Sequence, residues 1–251
     1  MSAVALDGPG STFTDRIFEL LNVADFRRAD SDADREEIFR LRYSAYLAEG
    51  GIAANFEKRF TDPYDDLGNA WIFGVYIDDK LASSIRINVA TKDFADLPSL
   101  GVFPEFLMPE LEAGKIIVDP TRHAVDRDAA ARYPGLVYMT MRLGWMAAAY
   151  FNADILLAAV RSEHQAFYRR VGGHRVVCPA RPYPLLHKPI SLMTLDYQAG
   201  RGRVEHRYPF FRSTNFERRM LFERLQGGAV PERAYADREL TLAADPVRLV
   251  R

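Results

Sequence analysis

In Lys115-Ile-Ile-Val-Asp119-Pro-Thr-Arg122-His-Ala-Val125 an otherwise apolar strand carries a carboxylate, a proline and a guanidinium in its middle. Successive side chains of a regular strand point to opposite faces, so Asp119 and Arg122 would diverge. Pro120 cannot donate to a ladder, and a proline inside such a run marks an edge or a bulge. One extra, bulged residue would turn Asp119 and Arg122 to the same side and hold the ladder open between two central strands, where a ligand can enter. The rival reading is a salt bridge on an edge strand. The motif alone leaves the two side by side. The five histidines are scattered without ligand spacing, which predicts no metal site. Cys178, beside Pro179, reads as a buried structural thiol.

The neighbouring segments must hold that strand in place. Apolar spacing predicts a strong helix over about 34–47, ended by Gly50-Gly51, with Arg40 and Arg42 on different sides. A loop over 55–68 carries Phe60-Thr-Asp62-Pro-Tyr-Asp65-Asp66. Trp71–Ile77 and Leu81–Val89 read as a hairpin turned at Asp78-Asp79, with Ile85, Ile87 and Val89 on one face and Ser84, Arg86 and Asn88 on the other. A short helix is expected near 104–111 and a long loop over 126–133. The run 134–150 is apolar nearly all round and is expected to be a helix buried against a sheet, with Pro134 in its first turn. Strands are expected at 154–160, 174–180 and 189–197, with a short helix over 163–171. This order predicts a mixed α/β sheet.

Composition sets the outer bounds. The chain has 251 residues with 48% hydrophobic and 27% charged content, ordinary for a globular enzyme with one large domain and extensions. A net charge of -1 gives no global argument for nucleic acid or membrane binding, and a single cysteine excludes an intrachain disulfide. No apolar run approaches the ~20 residues of a membrane span, and the N-terminus lacks a secretory pattern, so a cytoplasmic location is expected. The boundaries drawn are an extension over 1–30 (loose over 2–14, then a short docking helix), a main domain over 31–197 and an Arg-rich extension over 198–251, packing on or beside the core, with one helix near 215–225. Acids interspersed among those arginines favour a solvated, salt-bridged face over a docking surface for an acidic partner or nucleic acid.

With these pieces in order, the chain resembles the acyl-homoserine-lactone synthases and, more closely, the long-chain N-acyl amino acid synthases. The residues that carry the likeness are Phe39-Arg-Leu-Arg42-Tyr43-Ser-Ala-Tyr46, Asp62-Pro-Tyr-Asp65, Ser84-Ile-Arg86, Asp119-Pro-Thr-Arg122 and His164-Gln-Ala-Phe-Tyr168-Arg-Arg170. The resemblance implies an α/β fold of the GCN5-related N-acetyltransferase kind, a mixed sheet with splayed central strands and helices on both faces. The splay would lie between the Asp119 strand and the 154–160 strand. It also implies an acyl donor held as a thioester on the 4′-phosphopantetheine of acyl carrier protein, an amino acid acceptor, and a product able to associate with membranes. Two departures count against the lactone synthases: Asp119 stands where they carry Glu, and a Trp after their first helix is missing. Arg127-Asp-Ala-Ala-Ala-Arg132 replaces the Gly-rich loop with which acetyl-CoA-using relatives bind pyrophosphate. That suits a carrier's single phosphate better than coenzyme A, the alternative donor.

By the same resemblance the catalytic candidates are Asp119, Arg122 and Tyr168. Asp119 would take a proton from the amine, directly or through water, or else serve only a salt bridge with Arg122. Tyr168 would protonate the departing thiolate, or be a core aromatic. Arg42, Asp62, Asp65 and Arg86 are the substrate-binding candidates, clustered with Arg122, and Arg86 is the foremost partner for a carboxylate. Arg127, Arg132, Met141 and Trp145 are the donor-binding candidates. Met139, Met141, Trp145 and Met146 either line an acyl tunnel or are plain core. The competing functions are a lactone synthase, an acetyl-CoA-dependent N-acetyltransferase, and a silent acyl-binding module.

Overall fold

A computed structural model describes residues 12–224. Its centre is a seven-stranded mixed sheet in the order β1-β2-β3-β4-β5-β7-β6. The strands are β1 (Ala24–Arg28), β2 (Ala70–Ile77), β3 (Lys80–Ala90), β4 (Ile117–Val125), β5 (Ile155–Val160), β6 (Arg175–Arg181) and β7 (Ile190–Asp196). The β2–β3 hairpin turns at Asp78-Asp79, both at positive φ (51° and 58°) as a two-residue hairpin turn requires. β4 is central, flanked by β3 and β5, which overturns the edge-strand reading of the Asp119 motif.

Helices cover both faces. On one side lies α2 (Asp32–Ala48), started by a Ser31/Asp34 capping box and closed by Gly50 at φ +64°. The same side carries α3 (Pro104–Glu112), whose Leu107 and Leu111 pack with Ile117, Ile155, Leu157 and Leu192. On the other side, α5 (Leu136–Tyr150) lies across β3, β4 and β5. Ten of its residues are buried, which explains a sequence apolar nearly all round. Ile85, Ile87, Val118 and Leu156 meet it from the sheet. Smaller helices α6 (Gln165–Val171), α7 (Tyr197–Arg207) and α8 (Asn215–Phe222) complete the layer.

Several segments differ from the sequence-based expectations. Thr12 does not belong to a loose tail: it caps α1 (Phe13–Val23) in a capping box with Asp15. The expected loop at 126–133 holds α4 (Arg127–Arg132), because the Asp126 side chain accepts from the amides of Asp128 and Ala129 and starts a turn there. Pro134 precedes the buried helix instead of opening it. Tyr197, expected to end a strand, begins α7, whose N-cap is Asp196. The short strand β1 was not foreseen. The expected looseness of residues 2–11 and the far end of the 198–251 extension, from 225 on, lie outside the described residues. Among the described residues no helix is long and apolar enough to cross a membrane.

β4 and β5 are parallel and paired only at Ile117–Ile155 and Val118–Leu156. Beyond Val118, β4 continues beside β3 and β5 continues beside β7, each without the other. The sheet parts at Asp119.

Candidate active site

The bulge on β4 has a definite position. Arg86 of β3 pairs with Thr121 and Ser84 with Ala124, so the single residue Ile85 faces two, Arg122 and His123. Arg122 takes up the extra residue with φ +53°. The consequence is a change of parity. Arg122 turns onto the α2 side together with Arg86 and Asp119, while Pro120 and His123 line a cavity on the α5 side.

On the α2 side the charged residues interlock. Asp62 Oδ2 accepts from Arg122 Nε and Nη2 at 2.8 and 2.6 Å, and Asp62 Oδ1 accepts from Arg86 Nη1 at 2.5 Å. Asp65 Oδ1 accepts from Arg42 Nη1 at 2.8 Å, with Arg86 Nη1 3.2 Å away. Asp62 and Asp65 sit on one 3-10 turn opened by Pro63, in which each carboxylate also accepts a backbone amide. Such caps orient both acids independently of the guanidinium groups. All five residues are buried, so each charge needs the others. Burial alone would raise the carboxyl of Asp65, but Arg42 and Arg86 outweigh it and hold it at about 2. Asp62 is likewise pushed up by burial and brought below the usual carboxylate range by Arg122 and Arg86. Three guanidinium groups face two carboxylates, and Arg86 Nη2 and Arg42 Nη2 have no hydrogen-bond partner.

Asp119 stands apart from these pairs. Its expected partner, Arg122, is bound to Asp62, so the Asp119–Arg122 salt bridge is not the arrangement found. Asp119 is fully buried at the point where the strands separate. Its Oδ2 accepts the Ser99 amide at 3.0 Å, and its Oδ1 has no partner. Burial lifts its carboxyl above the ordinary carboxylate value, and Ser99 and Arg86 offset this only in part.

On the α5 side the separated strands border an apolar cavity, open at its mouth. Pro120, Met141, Gly144 and Trp145 line it together with His123 of β4 and Tyr168 of α6. Burial pushes the Tyr168 phenol up to about 12, so the hydroxyl keeps its proton at neutral pH. Met139 and Met146 are wholly buried core and do not line the cavity. Arg127 and Arg132 project from α4 at the surface, away from the cavity lining.

The structure therefore gathers Arg42, Asp62, Asp65, Arg86, Arg122 and Asp119 on one face of the parted strands, and Met141, Trp145 and Tyr168 on the other. Sequence reasoning missed Ser99, Asn88 as the cross-strand neighbour of Asp119, and His123. Ser99 lies in a Pro-interrupted stretch without periodicity. His123 was visible inside the quoted motif but was read as one of a scattered set.

The family profile of the N-acyl amino acid synthase FeeM matches residues 37–196, well over half of the chain. The chain belongs to the FeeM family of N-acyl amino acid synthases. The matched span runs from within α2 to the last residue of β7 and contains the charged cluster, Asp119, Met141, Trp145 and Tyr168. Among solved structures, FeeM from uncultured soil microbes is 19% identical, with a TM-score of 0.60 over 74% of this chain and 97% of that one. TofI, in a ternary complex with an inhibitor and MTA, gives a TM-score of 0.55 at 15% identity over 75% and 99% of the two chains. The acyl-homoserine-lactone synthase LasI gives 0.53 at 17% identity over 72% and 94%. No curated sequence matches the chain. The protein is an N-acyltransferase, and it shares its fold with FeeM and the acyl-homoserine-lactone synthases.

Proposed function

We propose that this N-acyltransferase moves a long-chain acyl group from the phosphopantetheine thioester of acyl carrier protein to the α-amine of an amino acid. The observation that carries the reading is the parting of β4 from β5 at Asp119, with an apolar cavity on one side and unpaired polar atoms on the other. A thioester lying in that gap would send its acyl chain toward Met141 and Trp145. The acceptor would meet it from the face of Asp119 and Arg86.

In this reading Arg86 Nη2, unpaired and buried, takes the acceptor's carboxylate. Asp62, Asp65, Arg42 and Arg122 keep Arg86 in place. Asp119, whose raised proton affinity suits a base better than an ordinary aspartate, accepts the first proton of the arriving ammonium at Oδ1. The neutral amine attacks the carbonyl carbon, the C–S bond breaks, and Tyr168 protonates the leaving sulfur. Arg127 and Arg132 on α4, without glycines between them, supply positive charge for a carrier's single phosphate rather than an amide cradle for a pyrophosphate. A relative of the same fold, BjaI, is described as a CoA-dependent acyl-homoserine lactone synthase, with a TM-score of 0.54. Coenzyme A is therefore the second donor to compare.

Incubation with acyl carrier protein loaded with dodecanoyl to octadecanoyl chains and a pool of amino acids, read by mass spectrometry, should give N-acyl amino acids. Products formed only from acetyl-CoA would replace this reading with a small-molecule acetyltransferase. Binding without turnover would replace it with an acyl-binding module.

A further inference from the structure

Besides Tyr168, the cavity on the α5 side is lined by two imidazoles, His123 and His174. The shift of parity at Arg122 that sends its guanidinium to the α2 side sends His123 to the other. His123 thus lies on the same parted stretch of β4 as Asp119 and lines the same cavity as Tyr168. Its Nε2 is enclosed and has no hydrogen-bond partner. A buried polar atom without a partner costs about 1–3 kcal/mol unless a ligand or water completes it. Burial, followed by the nearby His164, holds the imidazole down at about 4, so it stands neutral at pH 7 with one nitrogen free to accept. His174 also lines the cavity, but it lies beyond α6 and not on a parted strand.

Proton accounting shows what such a group is for. An amino acid arrives as an ammonium and must lose one proton before it attacks; that one goes to Asp119. After attack the nitrogen is again cationic and must lose a second proton for the amide to form. The leaving thiolate needs one proton, which Tyr168 gives. Left there, the balance has a tyrosinate to refill and an ammonium-like nitrogen to relieve.

We propose that His123 accepts the second proton from the attacking nitrogen and returns it to the Tyr168 phenolate, so that the proton lost in forming the C–N bond ends on the thiol sulfur. The C–N bond forms, the C–S bond breaks, His123 and Tyr168 finish as they began, the proton taken by Asp119 passes to solvent, and no further co-reactant enters. This assignment rests on the acyl-transfer reading above.

The test uses the full chain with acyl carrier protein carrying a long-chain thioester. His123→Ala should lower kcat by about 100-fold, within the usual contribution of a general base, and leave the donor KM within roughly threefold. Added imidazole should restore about tenfold of the lost kcat in His123→Ala. It should do nothing for Tyr168→Phe. His123→Gln, which fills the space but cannot carry the proton, should be as slow as His123→Ala while melting like the parent. A kcat for His123→Gln close to the parent's overturns the assignment and leaves acyl transfer standing. So does a loss that follows donor KM and ignores imidazole, which would make His123 a wall of the cavity. A parent chain giving no N-acyl product from any donor overturns the underlying reading instead.

Discussion

Asp119 and Asp65 are both buried aspartates less than 10% exposed, yet their surroundings push them in opposite directions. Asp65, held at about 2 against an ordinary 3.8, binds fewer protons when folded than when unfolded. Its contribution to stability is therefore present above pH ~4 and fades as pH falls toward the folded value. Asp65→Asn should flatten the acid limb of a stability–pH curve, and by leaving Arg42 buried without a counter-charge it should cost about 3–5 kcal/mol in urea unfolding. Asp119 has the reverse sign. Its folded carboxyl is raised by burial, so the folded protein binds the extra proton and loses stability as pH rises past the unfolded value. Asp119→Asn removes that cost, and its amide can donate to Asn88, the cross-strand neighbour whose Oδ1 is unpaired. We expect this variant to be about 1 kcal/mol more stable than the parent at pH 7 while kcat falls by ~100-fold. A variant that is both less stable and fully active would show that Asp119 serves the fold and not the reaction.

At the scale of elements, the site is a consequence of one irregular strand and the helix laid across it. Proline in a strand run was enough to expect a bulge or an edge but not to choose between them, and the parting of the Asp119 strand from the 154–160 strand was legible only through the family resemblance. Which residue bulges was not: Arg122 and His123 are equally plausible by type, Ile85 faces both, and only the backbone of Arg122, at φ +53°, decides it. Nor was the partner of Arg122 legible, because Asp62 lies sixty positions away and its approach depends on a loop without periodicity. α5 approaches β4 closely because position 144 has no side chain. A Cβ there would stand 3.0 Å from Pro120 Cγ and would enter the cavity lining. Gly144→Val should consequently shorten the longest acyl chain transferred, with kcat on short chains retained. A competition assay with carriers of graded chain length reads this directly, and an unchanged length profile would place the acyl chain elsewhere.

At the scale of the whole molecule, the region after β7 was expected to pack on or beside the core, but composition did not say how. Its arginines suggested a solvated extension, and some are so used, as in the Arg201–Glu205 and Arg219–Glu223 pairs one helical turn apart. Between them, however, Tyr197, Val204, Phe210, Phe211 and Phe222 join the same core as α5 and β2. The stitching is largely between side chains and backbone carbonyls, which no sequence pattern announces. Arg142 of α5 donates to the carbonyls of Phe210 and Arg212 and to Glu217, and the Trp71 indole donates to the carbonyl of Phe222. Arg28 reaches the carbonyls of Leu221 and Glu223. Phe222 is the point where these ties converge, since its ring also contacts Trp71, Phe73, Tyr150 and Phe151. Phe222→Ala should cost about 3–5 kcal/mol, as for other fully enclosed aromatics. Phe222 lines neither the cavity nor the charged cluster, so kcat measured well below the melting temperature should stay near the parent value. If α8 were instead a loosely attached appendage, the same substitution would leave the unfolding midpoint unmoved.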